Sequence, residues 1–168
     1  MSEAEIPLCL AFNRINHRRL LSRTFGTVSR LGDGVFWYVL MLMLPFIHGI
    51  EALPVSLHMG LVGLLSLPVY KWLKTTTLRD RPLHLNGDIF RSVAPLDQFS
   101  FPSGHTMHAV GFSIVLLAYY PQWAWIVVPF ASLVAMSRLV LGLHYPSDVL
   151  AGALIGTLVA VTSLLVAF

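Results

Sequence analysis

Five apolar stretches set the terms for this chain: Gly34 to Ile50, Leu53 to Leu73, Gly104 to Tyr120, Trp123 to Leu143 and Val149 to Phe168. Each approaches the ~20 residues that a helix needs to cross a ~30 Å hydrocarbon core, where every backbone polar group must be satisfied within the protein. Charge is correspondingly scarce, at 11% of 168 residues with a mean hydropathy of +0.74, against about 25% charged residues in an ordinary soluble domain. The expectation is an all-α integral membrane bundle of five spanning helices, a single domain over residues 1–168. Its first span is the weakest, about 25 Å long at 1.5 Å per residue and interrupted by Pro45.

Residues 1–30 mix Leu8, Leu10, Phe12, Ile15, Leu20 and Leu21 with Arg14, His17, Arg18, Arg19 and Arg23. That pattern predicts a basic amphipathic helix lying along the bilayer surface. Glu3, Glu5 and Pro7 argue against a cleaved signal peptide. The single cysteine, Cys9, has no partner for an internal disulfide and no Cys/His framework around it, so it reads as inert. A net charge of +3, clustered rather than spread, does not point to nucleic acid, and the apolar composition makes membrane lipids the expected partners; oligomeric state is not legible.

Parity then gathers the polar residues. If the second span ends at one membrane surface, the third begins there, the fourth returns there and the fifth leaves from there. Lys74, Arg81, Ser103, His105, Arg138, His144 and Asp148 therefore share one surface. His144 and Asp148 lie four apart, so the carboxylate can hold one imidazole nitrogen and aim the other outward. The planar fork of Arg138 suits a phosphate, and Lys74 and Arg81, seven apart, would face the same way on a continued helix that ends near Pro82. The run Phe101-Pro-Ser-Gly-His105 reads as a turn feeding a helix whose free N–H groups and Ser103 hydroxyl suit an anion, with Gly104 allowing close approach. His105 is placed to give a proton to a leaving oxygen. Arg79, Asp80, His84, Asp88, Arg91 and Asp97 read by default as a solvated loop within an active-site segment 74–103, and His108 suits either helix packing or the site.

Taken together, three segments resemble the signature of the type 2 phosphatidic acid phosphatase (PAP2) superfamily. They are Lys-x6-Arg-Pro from Lys74 to Pro82, Pro-Ser-Gly-His from Pro102 to His105, and Ser-Arg-x5-His-x3-Asp from Ser137 to Asp148. The resemblance implies cofactor-free, metal-independent hydrolysis of a lipid phosphate monoester or diphosphate through a phosphohistidine. His144 would be the nucleophile, Asp148 its orienting partner and His105 the acid, while Lys74, Arg81, Ser103, Gly104 and Arg138 would hold the phosphoryl oxygens. The substrates it implies are phosphatidate, phosphatidylglycerol phosphate or a similar lipid, with a polyprenyl diphosphate as the alternative. Vanadium haloperoxidases share the constellation but are larger and soluble, and a non-catalytic lipid-phosphate binding protein would not need the His144–Asp148 pair. The resemblance also implies a plasma (inner) membrane location with the site facing outward, against the arginines before Gly34, which favour a cytoplasmic N-terminus.

Overall fold

The structure, a computed structural model, describes residues 2–95 and 97–167, the side chains of Ser2 and Glu3 excepted. The helices are α1 (Ser2–Asn13), α2 (Arg19–Arg30), α3 (Phe36–His48), α4 (Leu53–Thr77), the short α5 (Pro82–Leu85), α6 (Gly104–Tyr119), α7 (Ala124–Val140) and α8 (Pro146–Ala167). Among the described residues, four stretches are long and apolar enough to cross a membrane: Arg19–His48, Ile50–Leu85, Pro121–Val140 and Pro146–Ala167. The chain is a multi-pass membrane protein. α6, only 16 residues, lies at the centre with α4, α7 and α8 packed against it.

The large apolar side chains are distributed as a lipid solvent requires. On α8, Leu150, Leu154, Leu158 and Leu165 are exposed, whereas Gly152, Gly156 and Ala160 face inward and are buried. Small residues inside let helix backbones approach, which is the main source of helix association in lipid. The approach is close here: a Cβ on Gly152 would stand 2.5 Å from the Ser103 carbonyl oxygen, and one on Gly156 2.2 Å from that of Met107. Glycine at these two positions lets the start of α6 rest on α8.

The basic N-terminal segment is helical as expected but comes in two pieces, not one surface helix. A tight turn over Arg14–His17 and an extended Arg18 separate α1 from α2. The cause lies in two asparagines. Asn13 donates to the carbonyls of Phe90 (3.1 Å) and Val140 (3.0 Å) and accepts from the Phe90 amide (2.8 Å), and Asn16 donates to Phe90 (2.9 Å) and accepts from the Ser92 hydroxyl (2.9 Å). α1 is thereby fastened over the polar loop and the end of α7. α2 runs through a π-turn at Leu31–Val35 directly into α3, with Gly34 at φ 125°, so the short first span is extended back to Arg19. Cys9 of α1 is buried against Ile89 and Tyr145, and burial pushes its thiol up to about 11, consistent with an inert side chain.

Candidate active site

The polar ends of α4, α6, α7 and α8 meet at one end of the bundle. A cavity of about 330 Å³ opens there, walled at its polar end by Arg81, Asp97, Gly104, His105, Arg138 and His144, and at its other end by Trp37, Tyr38, Met41, Leu64 and Leu67 of α3 and α4. Of the residues expected from the sequence, Lys74 and Asp148 stand behind this wall. Ser103 does too: its buried hydroxyl bonds the Thr106 hydroxyl at 2.9 Å while it caps α6, so Gly104, not Ser103, faces the cavity.

Lys74 and Arg81 converge, but not on one continuous helix. α4 stops at Thr77, Leu78 turns left-handed (φ 46°), and Arg81 is extended ahead of Pro82, as proline demands. Both cations then meet Asp97, which the sequence had left in a solvated loop. Lys74 Nζ lies 2.6 Å and Arg81 Nη2 2.5 Å from Asp97 Oδ1, and the Tyr70 hydroxyl donates to Oδ2 at 2.5 Å. Burial raises the Asp97 carboxyl, but the bonds from Lys74 and Tyr70 and the charges of Lys74 and Arg81 outweigh it and bring it down to about 2.

Arg138 is different. It is buried at 3% exposure, donates to the Ser29 hydroxyl, has no carboxylate partner among the described residues, and leaves Nε without a hydrogen bond. An unpaired buried guanidinium costs several kcal/mol, so a cation kept this way beside a cavity is fitted to an anionic ligand.

His144 is buried between these charges. Arg81 Nη1 lies 3.3 Å from its Nε2, and a guanidinium can only donate, so Nε2 is the acceptor and the neutral ring carries its proton on Nδ1. That proton faces Asp148 Oδ2 at 3.6 Å, beyond hydrogen-bond reach, and Nδ1 has no other partner. The contact expected from the four-residue spacing is therefore near but loose. Burial, followed by the charges of Arg138, Arg81 and Lys74, holds His144 well below the ordinary histidine range, which leaves it unprotonated at neutral pH. His105 also lines the cavity, its Nε2 3.5 Å from Asp33 Oδ1 on the π-turn, while His108 turns its Nδ1 to the Gly104 carbonyl at 2.9 Å.

Asp148 has a stronger partner than His144. Arg79, also expected in solvent, sits 2.6 Å from Asp148 Oδ1 with its side chain 16% exposed, and the Tyr145 amide donates to Oδ2 at 2.9 Å. Asp97, Arg79, Tyr70, Asp33 and Glu5 are the neighbours that sequence reasoning missed. For Arg79 and Asp97 the signal was available in their position, two residues before Arg81 and six before Ser103.

Comparison with known proteins agrees with this geometry. A family model, the PAP2 superfamily, matches residues 51–168. The chain is 49% identical over 63 residues to a Bacillus licheniformis protein named bacitracin transport permease protein BcrC, an alignment spanning 36% of this chain and 30% of that protein. It is 27% identical over 156 residues to the undecaprenyl-diphosphatase of Sulfolobus acidocaldarius, spanning 90% of this chain and 74% of that one. Among solved structures, LpxE of Aquifex aeolicus superposes with a TM-score of 0.77 and 32% identity, covering 92% of each chain. The transmembrane PAP2 type phosphatidylglycerolphosphate phosphatase from Bacillus subtilis superposes with a TM-score of 0.75 and 26% identity, over 96% of this chain and 83% of that one.

Proposed function

The chain belongs to the PAP2 superfamily, and on that premise we propose that it is a metal-independent phosphatase hydrolysing the phosphate monoester or diphosphate of a membrane lipid. The observation that carries this is the shape of the cavity. Unpaired Arg138, with Arg81 and His144, stands at one end, and an apolar wall of Trp37, Met41, Leu64 and Leu67 continues it between α3 and α4. A phosphoryl group fits the first part and a hydrocarbon tail the second.

In the proposed reaction the His144 Nε2 lone pair attacks phosphorus, a P–N bond forms, and the P–O bond to the lipid breaks. His105 supplies the proton that the departing oxygen takes up. Arg138, Arg81 and the backbone at Gly104 hold the phosphoryl oxygens as charge develops on them, with Lys74 behind them on Asp97 and Ser103 setting the α6 N-terminus beneath. Asp148 stabilises the Nδ1–H side of the cationic phosphoimidazole. Water, giving its proton to His105, then attacks phosphorus; the P–N bond breaks and phosphate leaves.

A polyprenyl diphosphate is the second substrate reading, favoured by the relative named undecaprenyl-diphosphatase, which aligns with 90% of this chain. We place the site at the outer face of the plasma membrane. Release of inorganic phosphate from a panel of lipid phosphates, in detergent and with chelator present, tests the assignment. No release from any of them, or release only when a divalent metal is restored, refutes it.

A further inference from the structure

Helix α1 lies far in sequence from the three signature segments, yet its one carboxylate described in detail ends inside the network behind His144. Glu5 Oε1 is 2.7 Å from Arg79 Nη2 and accepts the Ser147 hydroxyl at 2.8 Å, while Oε2 accepts the Ser147 amide, in the first turn of α8, at 2.9 Å. Arg79 in turn donates to Asp148 Oδ1 at 2.6 Å and to the Ser147 hydroxyl at 2.7 Å, with its guanidinium 4.0 Å from the centre of the Tyr145 ring. Charges thus alternate from Glu5 through Arg79 and Asp148 to the Nδ1 side of His144.

We propose that Glu5 and Arg79 are positioning residues for the nucleophile: Arg79 fixes the Asp148 carboxylate against α8, and Glu5 draws on Arg79 so that Asp148 keeps enough negative charge to stabilise His144 as it becomes cationic. This rests on the reading of His144 as nucleophile. Asp148, 3.6 Å from His144 Nδ1, is held by donors other than the imidazole, Arg79 and the Tyr145 amide among them, so the imidazole needs to close only a short gap when phosphorus is attacked. The network also gives α1 a task. Asn13 and Asn16 rivet the far end of the helix to the loop and α7, and Glu5 rivets its beginning to α8.

Removing either charge has opposite electrostatic consequences for His144, and that is the signature a merely structural role lacks. Glu5→Gln leaves Arg79 to neutralise Asp148 more fully, so the imidazolium is less favoured and the acid limb of the kcat/KM profile moves to lower pH. Arg79→Gln removes a cation and moves that limb to higher pH. His144 is also faced by Arg138 from α7, by Lys74 and Arg81 from the end of α4 and beyond, by His105 from α6, and by Asp97 from the loop, none of which these variants alter.

The experiment measures pH profiles of kcat/KM for the full chain in detergent with one long-chain lipid phosphate, for wild type, Glu5→Gln, Arg79→Gln and Arg79→Lys. Expected are a kcat lower by about tenfold with unchanged KM in both charge-removing variants, the scale of one hydrogen bond to a charged group. Limb shifts of opposite sign and partial rescue by Arg79→Lys complete the expectation. Limbs that stay put, or move the same way in both, overturn the proposal, as does wild-type kcat in Glu5→Gln. If Arg79→Gln does not fold, a Glu5→Gln limb moved to lower pH beside an Arg79→Lys limb left at the wild-type position still decides it. A wild type without phosphatase activity, or a His144→Ala that keeps it, instead removes the nucleophile assignment itself.

Discussion

Adding one methyl group at Gly152 tests whether the α6–α8 contact sets the spacing of the site. A Cβ there lies 2.5 Å from the Ser103 carbonyl oxygen and 3.3 Å from its carbon, where ordinary contact begins at 3.4 Å. Neither atom belongs to a flexible side chain, so the start of α6 must retreat from α8 by about 1 Å. Ser103 ties the two helices through its amide, which donates to the Asp148 carbonyl at 3.0 Å, and His105 follows two residues on. A 1 Å misplacement of catalytic groups costs on the order of 10²-fold, so Gly152→Ala is expected to lose about 3 kcal/mol of transition-state stabilisation. Overpacking should cost about 1–3 kcal/mol of stability. Gly156→Ala separates the two effects: its Cβ meets the Met107 carbonyl oxygen at 2.2 Å, a worse clash one turn further from the site. It should be the less stable variant and the more active one. Gly87→Ala, whose Cβ meets nothing within 4 Å, serves as the control. The assay is phosphate release from a lipid phosphate in detergent beside the thermal midpoint of the same preparation. Wild-type kcat/KM in Gly152→Ala, or activity that simply follows stability across both variants, would refute the reasoning.

Replacing His144 with Ala should abolish turnover by several orders of magnitude while lipid-phosphate binding survives on Arg138 and Arg81, as measured by phosphate release and equilibrium binding. Because His144 is held well below the ordinary histidine range, wild-type kcat/KM should stay flat as pH falls through about 6.5 and drop only below it; an acid limb at the ordinary value contradicts the burial argument. The depressed Asp97 carboxyl predicts that the clamp on Lys74 and Arg81 is complete above pH 3.8 and is lost only as pH falls toward about 2, which proteolysis of the 86–100 loop by an acid-active protease reports. Asp97→Asn frees both cations from a competing carboxylate, so inhibition by inorganic phosphate or vanadate should tighten several-fold. A long-chain lipid phosphate should exceed its chainless head group in kcat/KM, since tail burial contributes about 0.8 kcal/mol per CH₂; equality would detach the apolar wall from function.

What the sequence made legible is the part governed by local spacing and by parity of spans. Lys74, Arg81, His105, Arg138 and His144 reach one end of the bundle because each lies where an apolar stretch starts or stops. The Gly152 and Gly156 crossing on α8 went unread, because their spacing within an apolar stretch does not name the helix that rests on them. Long-range polar pairing stayed hidden. Asp97 finds Lys74 across 23 residues, and Glu5 finds Ser147 across 142, through loop and N-terminal paths that carry no periodicity. Spacing also misled in two places: Lys74 and Arg81 converge through a left-handed turn at Leu78, not a shared helix face, and Asp148 gives its closest contact to Arg79.

The charge arrangement that results explains how a strongly cationic site survives at the end of a membrane bundle. Burying Lys74, Arg81 and Arg138 together without anions would cost more than a small membrane protein can tolerate. Asp97 compensates two of them through one carboxylate, and Glu5 with Asp148 compensates Arg79, while Arg138, which lines the cavity, has no carboxylate partner among the described residues. On the proposed reading an arriving phosphoryl group meets one uncommitted guanidinium first and must compete with Asp97 for Arg81. Binding strength is thereby moderated and the full cationic set is reserved for the stage at which charge on the phosphoryl oxygens is greatest, which is the condition for lowering the barrier instead of only deepening the ground state.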